Sequence, residues 1–138
     1  MNILFTINDG YAQHLAVVIE SIKSSNPEED INCFILTEYI SNTNRVKLSQ
    51  ATTNSLIKLT FINIEFGKIS SYLKVDKHAA PANYYRLFST EFLPRKLKKV
   101  IYLDTDLIVL SSLKPLWETK ISNYALAAVH SYNEERMG

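Results

Sequence analysis

Residues 99–109 read KVIYLDTDLIV, and this stretch carries the strongest indication of the fold. Its apolar run, Val100 to Leu103, is rich in β-branched and aromatic side chains and is typical of a buried strand. The run ends at two aspartates that stand two positions apart, Asp104 and Asp106. Ligands of open α/β sheets gather at the carboxyl ends of the strands. The segment therefore predicts a buried strand with an acidic pair at the ligand-binding edge of a sheet.

Further apolar runs occur on both sides of this segment. They predict strands at Ile3 to Ile7, Ile31 to Thr37, Leu59 to Ile64, Leu107 to Leu110 and Tyr124 to Val129. A helical spacing of apolar residues occurs at Tyr11, Leu15, Val18, Ile19 and Ile22. Shorter helices are predicted from an N-cap at Ser41 to Ala51, and from Tyr84 to Phe92. The order β-α-β-α-β predicts an α/β fold with a parallel sheet, helices on both faces, and a single domain over residues 1–138.

The composition excludes several classes of protein. Lys and Arg number 15 against 14 Asp and Glu, so neither charge dominates and no nucleic-acid partner is expected. The chain has 3 glycines, which are too scattered for a glycine-rich phosphate loop. A single cysteine, Cys33, excludes an internal disulfide and a multi-cysteine zinc site.

We expect neither a secretion signal nor a membrane span in this sequence. Its start lacks a basic region followed by a cleavage site, and no apolar run approaches the ~18–20 residues that cross a bilayer. We therefore expect a cytoplasmic protein. Peripheral association with the inner face of the membrane, through sequence beyond Gly138, is left open.

The acidic pair suggests a metal site. In an extended segment, residues two apart point to the same side, so Asp104 and Asp106 are expected to face one point. Two carboxylates so close repel each other unless a positive group lies between them. A divalent cation with oxygen ligands satisfies both. The alternative is a solvated turn, but the apolar flanks predict a buried edge, where an unpaired carboxylate is costly.

Four blocks of the sequence together resemble the retaining glycosyltransferases of family 8, which include bacterial lipopolysaccharide galactosyl- and glucosyltransferases. The blocks are MNILFTINDGY at 1–11, ANYYRL at 82–87, KVIYLDTDLIV at 99–109 and LKPLW at 113–117. The resemblance implies a GT-A fold with a Rossmann-like nucleotide-binding sheet. It also implies transfer of a hexose, with retention, from a UDP-sugar to the hydroxyl of a saccharide or glycolipid acceptor.

The same resemblance assigns roles to individual residues. It makes Asp104 and Asp106 ligands of manganese or magnesium, and Arg86 a contact of the donor sugar and its phosphates. The full set of implied nucleotide- and donor-binding residues is Thr6, Ile7, Asn8, Tyr11, His78, Arg86, Asp104, Thr105 and Asp106. Tyr11 is either a stacking platform for the base or a member of the apolar helix face, and both remain open.

The sequence departs from the family at a few positions. Asn8 stands where relatives often have aspartate, and Gly10 where they often have asparagine. His130 follows the last predicted strand, where relatives often show a sugar-contacting aspartate. These differences put individual contacts to the base, ribose and sugar in doubt.

Family members are much longer than this sequence. The resemblance therefore places the catalytic residues, the acceptor pocket and the histidine that completes the metal site beyond residue 138, and predicts that residues 1–138 alone transfer sugar weakly or not at all. Two alternatives remain. One is a non-catalytic nucleotide-sugar-binding module, and the other is a haloacid-dehalogenase-type phosphatase, whose first motif also has D-x-D after an apolar strand.

Overall fold

A computed structural model describes residues 1–65 and 85–129. The strands of these residues are β1 (Asn2–Thr6), β2 (Ile31–Thr37), β3 (Ile57–Asn63) and β4 (Ile101–Tyr102). The α-helices are α1 (Ala12–Ser25), α2 (Asn42–Ala51), α3 (Ser89–Phe92) and α4 (Lys114–Glu118). Single 3-10 turns precede α1 and α3, at Asp9–Tyr11 and Arg86–Phe88.

The strands form one sheet in the order β3-β2-β1-β4, and each neighbouring pair is parallel. β1 pairs with β2 on one side and with β4 on the other, so that Leu4 lies opposite both Phe34 and Tyr102. In a parallel sheet all carboxyl ends lie at one edge. The ends of β1 and β4 are therefore neighbours, and the predicted parallel α/β sheet is confirmed.

Side chains of β1 alternate between two cores, one on each face of the sheet. Ile3 and Phe5 pack with the helix α1 and are fully buried. Leu4 points to the other face, where its cluster contains Tyr85 from the start of the third helical segment. Helices therefore cover both faces of the sheet, as the sequence predicts, because alternate residues of a strand point to opposite sides.

The two long helices begin differently. The α2 helix starts at the predicted N-cap, where the hydroxyl of Ser41 accepts a hydrogen bond from the backbone N–H of Asn44 at 3.3 Å. The α1 helix starts at Ala12, and its buried face consists of Ala12, Leu15, Val18, Ile19 and Ile22. The placement of Tyr11 on that apolar face is wrong, because Tyr11 ends the preceding 3-10 turn and is 50% exposed.

The predicted strand Leu107 to Leu110 is wrong, since none of these residues forms a strand. A side chain of α1 bonds the backbone of this segment instead, since the N–H of Val109 donates to Ser21 Oγ at 3.0 Å. A few residues on, the N–H of Leu113 donates to Oδ1 of the buried Asn26 at 2.8 Å. The segment is thus tied to the helix α1 rather than paired with the sheet.

The predicted strand Tyr124 to Val129 is also wrong. The structure describes these residues without a strand, and the N–H of Tyr124 closes a turn onto the carbonyl of Ile121 at 2.9 Å. Leu126 and Val129 are exposed. A strand needs a neighbour for its backbone groups, and no other described strand is paired with this segment.

Candidate functional site

Three segments of the chain meet near the carboxyl ends of β1 and β4. Thr6 is the last residue of β1, and Asp104 lies two residues after the end of β4. Arg86 comes from the 3-10 turn that precedes α3 and forms an ion pair with Asp104. The predicted site residues Thr6, Arg86 and Asp104 are therefore brought together.

Hydrogen bonds connect these segments through a phenol that was not among the predicted site residues. The hydroxyl of Tyr102 donates to Oδ1 of Asp104 at 2.8 Å and lies 3.1 Å from Oγ1 of Thr6. Burial raises the pKa of Tyr102, and the neighbouring Asp104 carboxylate raises it further. The phenol therefore keeps its proton at neutral pH and acts as a hydrogen-bond donor.

Arg86 contacts both members of this pair. One guanidinium nitrogen lies 3.5 Å from Oδ1 of Asp104, and the carbon of the guanidinium lies 4.8 Å from the centre of the Tyr102 ring. The Arg86 and Asp104 side chains are 39% and 53% exposed, so water screens the ion pair and its net contribution to stability is below about 1 kcal/mol. The guanidinium stays accessible to a ligand.

The acidic pair lies at the surface. Asp104 and Asp106 are both exposed, which corrects the expectation of a buried edge; the residues after Asp106 run along α1 and leave the turn open to water. Within residues 1–65 and 85–129, no hydrogen bond or ion pair reaches Oδ2 of Asp104 or the carboxylate of Asp106. Thr105, between them, is half-buried.

These free carboxylate oxygens fit a divalent cation but do not complete its ligand set. Asp104 and Asp106 offer the hard oxygen ligands that manganese and magnesium take. Among the described residues no group of three or more His, Cys, Asp or Glu side chains could hold a metal. The remaining ligands would therefore come from a bound molecule or from other parts of the chain.

The turn after β1 presents a second group of predicted residues. Asn8 is exposed, and the half-exposed Tyr11 ring lies 5.1 Å from the ring of His14 at a tilt of 36°. A Cβ added to Gly10 would lie 3.3 Å from Oδ1 of Asn8, so the glycine leaves room for that side chain. A side chain at position 10 would therefore press on Asn8, the other departure from the family pattern.

Ile7 does not present its side chain to this turn. It is 1% exposed and belongs to the core that packs against α1, and its N–H donates to the carbonyl of Leu36 at 3.1 Å. A ligand could therefore meet Ile7 only through its carbonyl group. His78, another predicted binding residue, lies outside the described residues.

Asp9 was missed by the sequence analysis. Its Oδ1 accepts hydrogen bonds of 2.8 Å from the N–H of Ser41 and from the side-chain amide of Asn44, at the start of α2. These donors hold the pKa of Asp9 below its usual value, the Ser41 N–H having the largest effect. The signal for this contact was the N-cap itself, because a helix start attracts a carboxylate from a neighbouring loop.

Comparisons with known proteins identify the family. The model of glycosyl transferase family 8 matches residues 2–137, and the chain belongs to this family. A Haemophilus influenzae protein is 34% identical over 128 residues, which are 93% of this chain and 38% of that protein. The lipopolysaccharide 1,2-glucosyltransferase of Escherichia coli is 29% identical over 117 residues, 83% of this chain and 34% of the relative.

A solved structure defines the fold. The crystal structure of the galactosyltransferase LgtC, in complex with donor and acceptor sugar analogues, is 30% identical and matches with a TM-score of 0.74. The match covers 88% of this chain and 43% of LgtC. The fold is therefore GT-A, as the resemblance implies. The chain spans less than half the length of these relatives.

Within residues 1–65 and 85–129, no helix is both long enough and apolar enough to cross a bilayer.

Proposed function

We propose that this chain binds the UDP-sugar donor in a metal-dependent, retaining glycosyltransferase that moves a hexose to the hydroxyl of a saccharide or glycolipid. One observation carries the proposal. Arg86 and Asp104 are paired beside the carboxyl end of β1, in a chain whose family match spans residues 2–137. The guanidinium can donate hydrogen bonds to phosphate, and the acidic pair can bind a metal. Their position at one sheet edge therefore suits a ligand that carries both phosphate and metal.

Different residues of the site would bind different parts of the UDP-sugar. The half-exposed ring of Tyr11 is available to stack on uracil, and the exposed Asn8 to bond the base or the ribose. The guanidinium of Arg86 offers several N–H donors to the oxygens of the phosphates or the sugar. Its stacking on Tyr102 limits the conformations that it samples, so less entropy is lost when a ligand binds.

Asp104 and Asp106 would hold the metal through their exposed carboxylates. The chemistry supplied by such a cation is neutralisation of the charge that develops on the departing diphosphate. This proposal agrees with the scarcity of glycine, because residues 1–138 offer no glycine-rich loop for the phosphates.

Calorimetric titration of the full chain with UDP tests the proposal. We expect binding in Mn²⁺ to be at least about ten-fold tighter than binding in a chelator, since a bridging cation contributes several kcal/mol of charge stabilisation in favourable sites. The double variant Asp104→Ala with Asp106→Ala should lose this difference. The matched control is Glu28→Ala with Asp30→Ala, which removes an exposed acidic pair of the same spacing before β2, at the opposite edge of the sheet.

The outcomes separate the alternatives. Equal UDP affinity in Mn²⁺ and in chelator would contradict the metal assignment, and no UDP binding at all would contradict the donor site. Metal-dependent UDP binding is expected both for the donor-binding part of a transferase and for a non-catalytic binding module, whereas release of UDP from UDP-glucose or UDP-galactose by this chain would contradict the module. The phosphatase alternative rests on the D-x-D triplet alone, and the family match over residues 2–137 disfavours it.

A further inference from the structure

Tyr102 contacts every segment of the candidate site. Its hydroxyl lies within hydrogen-bond distance of Thr6 at the end of β1 and of Asp104 after β4, and its ring lies under the guanidinium of Arg86. Tyr102 lies outside the D-x-D triplet, two residues before Asp104. Tyr102 therefore links the three segments to one another.

The direction of these hydrogen bonds follows from the chemistry of the groups. An ionised carboxylate only accepts, and a phenol has a single proton to donate. The proton of Tyr102 therefore goes to Oδ1 of Asp104, and the hydroxyl of Thr6 must donate to the phenol oxygen. The result is a directed chain from β1 to the acidic pair, in which each hydroxyl is oriented by the one before it.

The sheet register explains why these three side chains meet. Leu4 is the partner of Tyr102, and the N–H of Leu103 donates to the carbonyl of Leu4 at 3.1 Å. Thr6 and Leu4 lie on the same face, since they are two residues apart in a strand. The parallel pairing of β1 and β4 thus brings the last side chain of β1 to the phenol that precedes the acidic pair.

The contacts of Asp104 leave one side of its carboxylate open. Both Tyr102 and Arg86 approach Oδ1, whereas Oδ2 has no partner among the described residues. A carboxylate whose one oxygen is fixed by a donor has lost its freedom to rotate before a ligand arrives. Outer partners of this kind orient a metal ligand and increase its affinity.

We infer that Tyr102 is a positioning residue, which orients Asp104 for a divalent cation and couples that orientation to Thr6 at the end of β1. The inference rests on the proposed function, because it assumes that Asp104 binds the cation. It goes beyond that function by assigning to Tyr102 and Thr6 a role in metal affinity. Both residues would act through the orientation of Asp104 and not through a contact with the sugar donor.

Titration of the full chain with Mn²⁺ in the presence of UDP, followed by the electron paramagnetic resonance signal of free Mn²⁺, tests the inference. Tyr102→Phe keeps the ring under Arg86 and removes only the hydroxyl. We expect its Mn²⁺ affinity to fall about ten-fold, the lower end of the range for loss of a ligand's partner. Its affinity for UDP measured in chelator should stay unchanged.

Two sets of variants serve as controls. Tyr39→Phe removes a hydroxyl from a tyrosine that is 67% exposed, and it should keep the Mn²⁺ affinity of the wild type. Thr6→Val replaces the hydroxyl at nearly constant volume and should weaken Mn²⁺ binding in the same direction as Tyr102→Phe. Thr6→Ser returns a hydroxyl and should restore affinity relative to Thr6→Val.

The results distinguish this inference from the proposed function. A wild-type chain that binds no Mn²⁺ with UDP overturns both. Wild-type binding that Tyr102→Phe leaves unchanged overturns the positioning role alone. A Tyr102→Phe variant that loses Mn²⁺ affinity and chelator-measured UDP affinity together indicates a structural role and also overturns it. If Tyr102→Phe does not fold, the pair Thr6→Val and Thr6→Ser decides, and equal Mn²⁺ affinity in those two variants overturns the inference.

Discussion

Two aspartates follow neighbouring strands of the sheet and have unlike surroundings. Asp9 comes after β1, and its Oδ1 accepts from the N–H of Ser41 and the side-chain amide of Asn44, both at 2.8 Å. Asp104 comes after β4, and its Oδ1 accepts from the phenol of Tyr102 and faces a guanidinium at 3.5 Å. The two carboxylates share a sheet edge, but Asp9 accepts two short hydrogen bonds and Asp104 accepts one beside an ion pair.

The nature of the donors separates their roles. Both donors of Asp9 belong to the start of α2, where the backbone is fixed and the helix dipole favours a negative charge. The partners of Asp104 are side chains, and a second carboxylate stands two residues away. Asp9 therefore joins the turn after β1 to a helix, whereas Asp104 and Asp106 stand beside the single guanidinium of Arg86, which leaves the acidic pair with a net negative charge.

The largest expected difference between the two aspartates is in metal-dependent binding. Asp104→Asn removes a charged ligand but keeps the shape, and we expect UDP affinity in Mn²⁺ to fall about 100-fold, the upper end of what the loss of a ligand's own partner costs. Asp9→Asn should keep the ratio between UDP affinities in Mn²⁺ and in chelator. Calorimetric titration of both variants measures this ratio.

Similar changes of this affinity ratio in the two variants would contradict the different roles of Asp9 and Asp104. Equal loss of the ratio in Asp9→Asn would mean that Asp9 contributes to the metal site. An unchanged ratio in Asp104→Asn would remove Asp104 from it.

The fold could be predicted largely from the sequence, for reasons that particular elements show. β2 was predicted with its observed bounds, Ile31–Thr37, because a strand that is buried on both faces is apolar along most of its length. The segment Leu107 to Leu110 has the same local character but is no strand. The N–H of Val109 donates to the side chain of Ser21 in α1, and a residue 88 positions away has no influence on the local sequence pattern.

The site was predicted only in part, and for a similar reason. Asp104 and Arg86 were identified by motif, and their contact was not, because it joins residues from two segments. The role of Tyr102 could have been suspected, since it stands two positions before Asp104 in an extended segment. Its hydrogen bond to Thr6 depends on which strands are neighbours, which the order of elements along the chain does not determine.

A second prediction concerns stability and is smaller. Asn44→Ala removes the amide that donates to both Oδ1 and the carbonyl of Asp9, and should lower the free energy of unfolding by about 1 kcal/mol. Asn42→Ala, at an exposed position of the same helix, is the matched control. Asp104→Asn, at the surface, should change stability by no more than about 0.5 kcal/mol. Urea unfolding measures all three variants.

A larger loss in Asp104→Asn than in Asn44→Ala would reverse the roles assigned to the two aspartates. The carboxylate after β4 would then be the structural one. Equal losses in Asn44→Ala and Asn42→Ala would show that the contact with Asp9 contributes nothing to stability beyond helix propensity.

The smallest expected effect is a pH dependence at Asp9. Its pKa is lowered from the usual 3.8 in the folded chain, because the Ser41 N–H and the Asn44 amide favour the charged form. The folded state therefore binds this proton less readily than the unfolded state does. The stabilisation is fully present above pH about 4 and is lost as the pH falls through the lowered folded pKa. Because only one proton is linked to this contact, the effect is modest.

The measurement is the difference in Tm between the wild type and Asp9→Asn as a function of pH. The difference should be constant from pH about 7 to 5 and should shrink below pH about 4, because the unfolded wild type then takes up the proton first and the advantage of the charged carboxylate falls until the folded chain is protonated as well. Asp30→Asn controls for the general loss of a surface carboxylate, since Asp30 has a distant ion pair of 4.0 Å with Lys58. A Tm difference that grows on acidification would mean that the folded chain favours protonated Asp9. Asp9 would then not be a carboxylate that the fold holds in its charged form, and the contrast with Asp104 would be lost.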